Sequence, residues 1–249
     1  MDDRQYAFNG PLSFYSAWYC PFAQRAWMTL LHKKLDFEYI EVDPYRKSRW
    51  WLVISRNSAK VPVLEPANSN KGSKSTIIDS TRIIEYLEEL VPETQPVLPE
   101  NPDERAENRF WMDHVNTQIV PYFYRFLKAK DSGEYRDKSR ERMVEGLREL
   151  TGEMSSSGPF FYGNTIGAVD IMLMPFAYRI DALLGYYRDF TLPNRGNLWS
   201  RYMRWYESML ERRIFRATST DHNNYRERLI EFYYPYSLGE GQADVTETG

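Results

Sequence analysis

Trp18-Tyr19-Cys20-Pro21-Phe22-Ala23-Gln24-Arg25 holds the only cysteine among 249 residues and lies where a strand gives way to a helix. Before it, Leu12-Ser13-Phe14-Tyr15-Ser16 reads as a short buried strand. After it, Phe22, Ala26, Trp27, Leu30 and Leu31 recur at helical spacing over a helix of about Pro21 to Lys33. Pro21 suits the first helical position, where a missing N–H costs no intrahelical bond and the fixed φ already matches the helix. Cys20 is then the N-cap. There the sulfur lies beside the unpaired amides of Phe22 and Ala23, at the positive end of the helix dipole, and both favour thiolate over thiol. Such settings lower a thiol pKa from about 8.5 towards roughly 3.5–7.5. A lone intracellular cysteine is ordinarily a small core hydrophobe; the Cys-Pro cap makes a nucleophile the better reading.

Outward from this turn, Phe37-Glu38-Tyr39-Ile40-Glu41-Val42 has one apolar and one charged face and completes a βαβ unit with parallel strands. Pro44 to Asn57 is Trp-rich and irregular, with a short helix around Trp50 to Ile54. Lys60-Val61-Pro62-Val63-Leu64-Glu65 reads as a strand, and Pro62 at its start predicts either an edge or a turn into the strand. A polar loop, Asn68 to Ser73, leads to Ser75-Thr76-Ile77-Ile78, which gives a hairpin. Asp79 or Ser80 then caps a helix carrying Ile83, Ile84, Leu87, Leu90 and Val91 on one face. The order so far is βαβ(α)ββα.

Residues 92–101 hold three prolines, have neither helical nor strand period, and read as a connector between a domain at 1–91 and one at 102–236. Beyond it the pattern is helical. Asn101 caps a helix that starts on Pro102 and carries Asp103 and Glu104 in its first turn; it is expected to run to about Lys130 with a kink at Pro121. A second helix spans roughly Arg136 to Met154, before the Ser155–Pro159 breaker. A third starts near Gly167, with Ile171, Leu173, Met174, Phe176 and Ala177 as core. Two more lie near Trp199–Leu210 and Asn223–Tyr233. The stretch 237–249 is Gly-rich and acidic without periodicity, and disorder is expected there.

A net charge of −3 and a pI near 5.8 give no electrostatic case for nucleic acid or an anionic membrane. Met1 to Gly10 is polar, and no window approaches 18 consecutive apolar residues, so neither signal peptide nor membrane span is expected. One cysteine excludes a disulfide framework, and a cytoplasmic protein without a metal site is the default. Ala23 stands where glutaredoxin-like sites have a second cysteine, so any disulfide intermediate needs an outside thiol.

A βαβ(α)ββα domain with a Cys-Pro helix cap, a Val61-Pro62 turn and an Asp79-Ser80 helix start, followed by an all-helical domain, resembles the glutathione transferases. The run Cys20-Pro21-Phe22-Ala23-Gln24-Arg25 resembles the omega class, its fungal omega-like branch in particular. The resemblance covers about Leu12 to Phe215. It implies an α/β thioredoxin-like N-terminal domain, an all-α C-terminal domain, glutathione as co-substrate and a homodimer.

The same resemblance implies residue roles. Cys20 takes the place of the cysteine that forms a mixed disulfide with glutathione. Val61 precedes a cis-proline, Pro62, and its backbone pairs with the cysteinyl part of glutathione. Asp79 and Ser80 hold the γ-glutamyl end: a hydroxyl and amide at a helix start suit a carboxylate, and Asp79 suits an ammonium. Phe22 joins this site. A lysine meets the glycyl carboxylate, either Lys47, nearest in register, or Lys60. The second substrate, a small molecule or a glutathionylated one, is implied to sit between the domains, with Trp111, Val115, Phe123, Tyr124, Tyr178 and Asp181 as candidates. Helical aromatics at such spacing are more often core than ligand lining. Two positions depart from the family pattern: Gly167 stands at the cap of the core helix, with Asp170 kept at its third position, and Arg56-Asn57-Ser58-Ala59 replaces an Asn-Pro-x-Gly type of turn.

The leading function on these grounds is a glutathione-dependent thiol transferase or reductase, dehydroascorbate-reductase-like, working through Cys20. A second is conjugation, thioether cleavage or isomerisation of a small molecule. A third is a non-catalytic binder or regulator of the same fold, which would have no need of an acidic thiol.

Overall fold

The computed structural model describes residues 12–66, 76–219 and 224–241. The expected polar loop at Asn68–Ser73 and residues 242–249 of the expected tail lie outside them. The chain divides into two compact units, Met1–Val97 and Leu98–Gly249.

In the first unit, β1 (Leu12–Ser16), α1 (Pro21–His32) and β2 (Phe37–Glu41) form the βαβ step, followed by α2 (Arg49–Ile54), β3 (Val63–Glu65), β4 (Ile77–Ile78) and α3 (Ser80–Leu90). The sheet order is β2-β1-β3-β4, with β1 parallel to β2 and antiparallel to β3, and β3 antiparallel to β4. Strand alternation sends Leu12, Phe14 and Leu64 to one face, where Ala23, Ala26 and Leu30 of α1 and Ile83 and Leu87 of α3 cover them. Tyr15 and Val63 face the other way, against Val42, Ala59 and Trp51 of α2. Each fully buried Leu or Phe contributes about 1.5–3 kcal/mol.

Two expectations change here. The buried stripe of α1 is Ala23-Ala26-Leu30, whose small residues let the helix lie close to the sheet, while Phe22, Trp27 and Leu31 are only partly covered. Nor is β3 an edge: Pro62 falls one residue before the ladder begins at Val63, so its missing N–H is not called on, and the turn alternative holds. After α3, Lys33 reaches the connector. Its buried Nζ lies 2.7 Å from Glu88 Oε2 and donates to Thr94 O at 3.0 Å and Val91 O at 3.3 Å. Glu88 Oε2 also accepts from Val97 N at 3.2 Å.

The second unit is helical: α4 (Pro102–His114), α5 (Val120–Lys128), α6 (Glu134–Glu153), α7 (Ala168–Arg179), α8 (Gly185–Arg188), α9 (Asn197–Leu210), α10 (Arg213–Ser219) and α11 (Tyr225–Ser237). The helix expected to run on to Lys130 is interrupted by a π turn at Val115–Ile119, where Val120 N donates to Val115 O. Pro121 has no N–H for Thr117 O and its ring crowds that carbonyl, so the preceding turn widens. A second π turn, Ile180–Leu184, joins α7 to α8. The short α10 was not legible in the sequence, and α11 runs past Tyr233 to Ser237 with Pro235 in its last turn.

Polar side chains fasten this unit. Buried Asp170 accepts from Gly167 N at 2.8 Å, the surviving half of the cap, and also from Phe161 N at 2.9 Å and Trp205 Nε1 at 2.7 Å. Burial pushes its carboxyl up to about 6, against the pull of those three donors and Arg201. Arg201 donates to Ser155 O, Pro159 O and Phe160 O at 2.8, 3.1 and 2.7 Å. Arg188 donates to Phe126 O at 3.2 Å, Tyr187 O at 2.8 Å, Ser237 O at 2.6 Å and to Leu127 O.

Candidate functional site

Cys20 occupies the N-cap of α1 in an extended conformation (φ −80°, ψ 116°), with Pro21 in the first helical turn. Its Sγ accepts from Ala23 N at 3.5 Å, so one of the two amides expected beside the sulfur is in place. As a thiol it points to Val61 O, 3.9 Å away. Two motifs 41 residues apart thus meet at one atom pair. The Val61–Pro62 bond is cis. Antiparallel pairing of Val63 with Ile78 continues to bring Pro62 beside Asp79, so Cys20, Val61, Pro62, Asp79 and Ser80 gather at one end of the sheet.

Asp79 is the N-cap of α3, which resolves the choice between it and Ser80. Its Oδ1 accepts from Thr81 N at 3.0 Å and Arg82 N at 3.2 Å. Oδ2 has no protein partner among the described residues. The backbone of Asp79 sits at φ 79°, ψ 132°, a conformation that L residues adopt only under constraint. Ser80 begins α3 and is buried. Phe22 is half-exposed, with the Arg25 guanidinium 5.1 Å from its ring centroid. Lys47 and Lys60 are both exposed and make no ion pair among the described residues.

The loop that departs from the family turn closes by its own hydrogen bonds. Ser55 Oγ accepts from Ala59 N at 3.0 Å, and Ser58 Oγ donates to Ser55 O at 2.7 Å. Arg56, Asn57 and Ala59 all have positive φ, a left-handed turn made without glycine.

The helical candidates separate by burial. Val115 and Phe123 have no exposed surface and Tyr124 is 3% exposed, so these three pack the core of their own unit and present almost nothing to a ligand. Trp111 is nearly buried, its Nε1 donating to Glu107 Oε1 at 2.8 Å. Tyr178 keeps an accessible edge while stacking on Tyr225 at 5.7 Å, and Asp181 is exposed on the second π turn. A contact that the sequence did not disclose is made by Glu41, whose carboxylate binds Trp18 N and Tyr39 OH. The expected division of β2 into an apolar and a charged face does not hold, because alternation puts Glu41 on one face with Phe37 and Tyr39 and Glu38 on the other with Ile40.

Residues 14–95 match the family described as "Glutathione S-transferase, N-terminal domain" and residues 133–208 the one described as "Glutathione S-transferase, C-terminal domain". The chain belongs to the glutathione S-transferase family. The chain is 35% identical over 175 residues to glutathione S-transferase DHAR2 of Arabidopsis thaliana, covering 70% of this chain and 73% of that protein. It is 32% identical over 190 residues to the probable glutathione S-transferase DHAR2, chloroplastic, of Oryza sativa subsp. japonica, covering 76% of this chain but only 62% of the rice protein's length. Glutathione transferase Omega 3C from Trametes versicolor superposes with a TM-score of 0.76 at 30% identity, over 91% of this chain and 90% of that one. Among the described residues no helix is long and apolar enough to cross a membrane.

Proposed function

We propose that this chain is a glutathione-dependent thiol transferase or reductase of the omega-like, cysteine type, with Cys20 as its nucleophile. The observation that carries the reading is the position of the single cysteine, capping α1 with its sulfur 3.5 Å from Ala23 N and 3.9 Å from the carbonyl before the cis-proline. The likeness to the Trametes omega protein supports the same class.

In this reading the Cys20 thiolate attacks the glutathione sulfur of a glutathionylated substrate. A Cys20–glutathione disulfide forms as the substrate sulfur leaves as a thiolate. The thiolate of a second glutathione then attacks that adduct, oxidised glutathione departs, and Cys20 returns as a thiolate. Ala23 supplies no internal thiol to take the second step. The Val61 backbone pairs with the cysteinyl part of glutathione and cis-Pro62 keeps it turned outward, while Phe22 borders the site. Asp79 Oδ2 receives the γ-glutamyl ammonium, Ser80 and its amide the adjoining carboxylate, and Lys47 or Lys60 the glycyl carboxylate. Tyr178 and the exposed part of Trp111 contact the second substrate. The protein acts as a cytoplasmic homodimer, a state that light scattering tests.

Mass spectrometry after incubation with oxidised glutathione tests the chemistry. One glutathione adduct per chain on Cys20 is expected, removed by excess reduced glutathione and absent in Cys20→Ser. A wild type that forms no adduct yet turns over an electrophile would replace this reading with conjugation or isomerisation.

A further inference from the structure

Glu41 is the last residue of β2 and lies opposite Ser16, the last residue of β1, in the parallel register. Both of its carboxylate oxygens are engaged: Oε1 accepts from Trp18 N at 3.2 Å and Oε2 from Tyr39 OH at 2.6 Å. Trp18 lies in the turn that Cys20 N closes by donating to Ala17 O at 2.9 Å. Tyr39 packs on Trp27 of α1, with ring centroids 4.7 Å apart, and on Phe14 of β1 at 5.9 Å. One carboxylate therefore ties the incoming side of the Cys20 turn to a ring braced against the helix that Cys20 caps. Holding a long glutamate chain in one geometry costs side-chain entropy, which these two hydrogen bonds must offset.

We propose that Glu41 is a positioning residue for the thiol: it holds the Ala17–Cys20 turn so that the sulfur stays at the Ala23 amide in the first turn of α1. The sulfur gains from that amide only at short range, so a turn that loosens by an ångström gives up thiolate character and aim together. The carboxylate acts here through hydrogen-bond geometry. Its negative charge alone would disfavour a nearby thiolate, and this opposite sign makes the two roles separable.

The proposal takes its functional weight from the thiol-transfer reading, but its test reads only the thiol. Cys20 is alkylated with iodoacetamide across a pH range in the wild type, Glu41→Ala, Glu41→Gln and Tyr39→Phe, with circular dichroism and thermal unfolding as the check on folding. Glu41→Ala should raise the alkylation midpoint by about one pH unit and slow the reaction at neutral pH by about tenfold. Glu41→Gln keeps an acceptor for Trp18 N and an amide for the Tyr39 oxygen, and should stay within about twofold of wild type. Tyr39→Phe removes only the hydroxyl and should fall between; it carries the test if Glu41→Ala does not fold, and no rise in its midpoint then overturns the proposal. A midpoint that drops in both Glu41 variants assigns the residue a charge effect and overturns positioning, as does an unchanged Glu41→Ala. Because alkylation needs no glutathione, a wild type that forms no glutathione adduct while Glu41→Ala still shifts the midpoint would sink the thiol-transfer reading and leave the positioning role standing.

Discussion

In the unit Met1–Val97 the features around Cys20 belong to the backbone: a helix cap, a cis peptide at Val61–Pro62 and a positive φ at Asp79. In Leu98–Gly249 polar side chains are instead turned on the chain itself, buried Asp170 on two amides and an indole, partly buried Arg201 and Arg188 on three and four carbonyls. Truncating a side chain should therefore have different consequences in the two units. Near Cys20 it should remove a proposed ligand contact at a cost to the fold of no more than about 1 kcal/mol; in the helical unit it should strand donors or acceptors and weaken the fold more. Lys33 and Glu88 in the first unit follow the second pattern, a buried pair that serves the connector, as does buried Ser55 on Ala59 N.

The sharpest way to break this contrast is Asp170→Ala. It leaves Phe161 N–H, Gly167 N–H and the Trp205 indole without their acceptor, and should cost about 3–5 kcal/mol in urea unfolding; a loss below about 1 kcal/mol would remove the distinction. The same carboxylate predicts a pH effect. Its folded-state pKa of about 6 lies above the ordinary 3.8, so between those values the folded chain holds a proton that the unfolded chain has lost. This group's contribution is therefore full below about 3.8 and is lost as pH rises through about 6, a span of about 3 kcal/mol. Unfolding of wild type and Asp170→Asn at about pH 4.5 and about pH 7.5 should show the wild type gaining on the variant at the lower pH.

Next in size is Gly146→Ala. A Cβ there would lie 2.8 Å from Gln118 O and 3.1 Å from Ile119 Cγ1, so α6 would be pushed off the π turn and lose about 1–3 kcal/mol by thermal unfolding. His114 Nε2, which donates to Gly146 O at 2.8 Å, would shift with it.

Asp79 tests the other side of the comparison. Asp79→Ala should cost about 1 kcal/mol as a lost cap. Asp79→Asn keeps the cap oxygen, so its stability should be unchanged while glutathione affinity, read by calorimetry, falls as far as in Asp79→Ala. Equal affinity in the wild type and Asp79→Asn would return Asp79 to a cap alone. The smallest effect is expected at Ala59. Glycine would relieve its positive φ of 54° at the loss of a buried methyl and some unfolded-state entropy, leaving a gain of a few tenths of a kcal/mol.

What the sequence disclosed follows the range of the physics involved. The strand-turn-helix at Cys20 was legible because a buried run, a Cys-Pro step and a helical stripe all act within a few residues of one another. The cis bond at Pro62 and the ligand role of Asp79 entered only through family resemblance, since Pro62 alone reads as a strand-start proline and Asp79 alone as a cap. Asp170 was read as half a cap, but its reach to Trp205, 35 residues on, depends on how α7 and α9 pack. Val115 and Tyr124 turn out to be core because a stripe counted along one helix does not say whether it faces a ligand or the neighbouring helices.

That turn also fixes the phase of everything downstream. A π turn holds one residue more than the α turn it replaces, and a residue corresponds to about 100° of helical rotation. The apolar face of α5, with Phe123, Phe126 and Leu127, is aimed inward only because that extra residue is present. Deleting any one residue of Val115–Ile119 would press the Pro121 ring against the carbonyl of an ordinary α turn and leave the oily face of α5 pointing sideways. Single-residue deletions should therefore be less tolerated in these five positions than most substitutions in the same place.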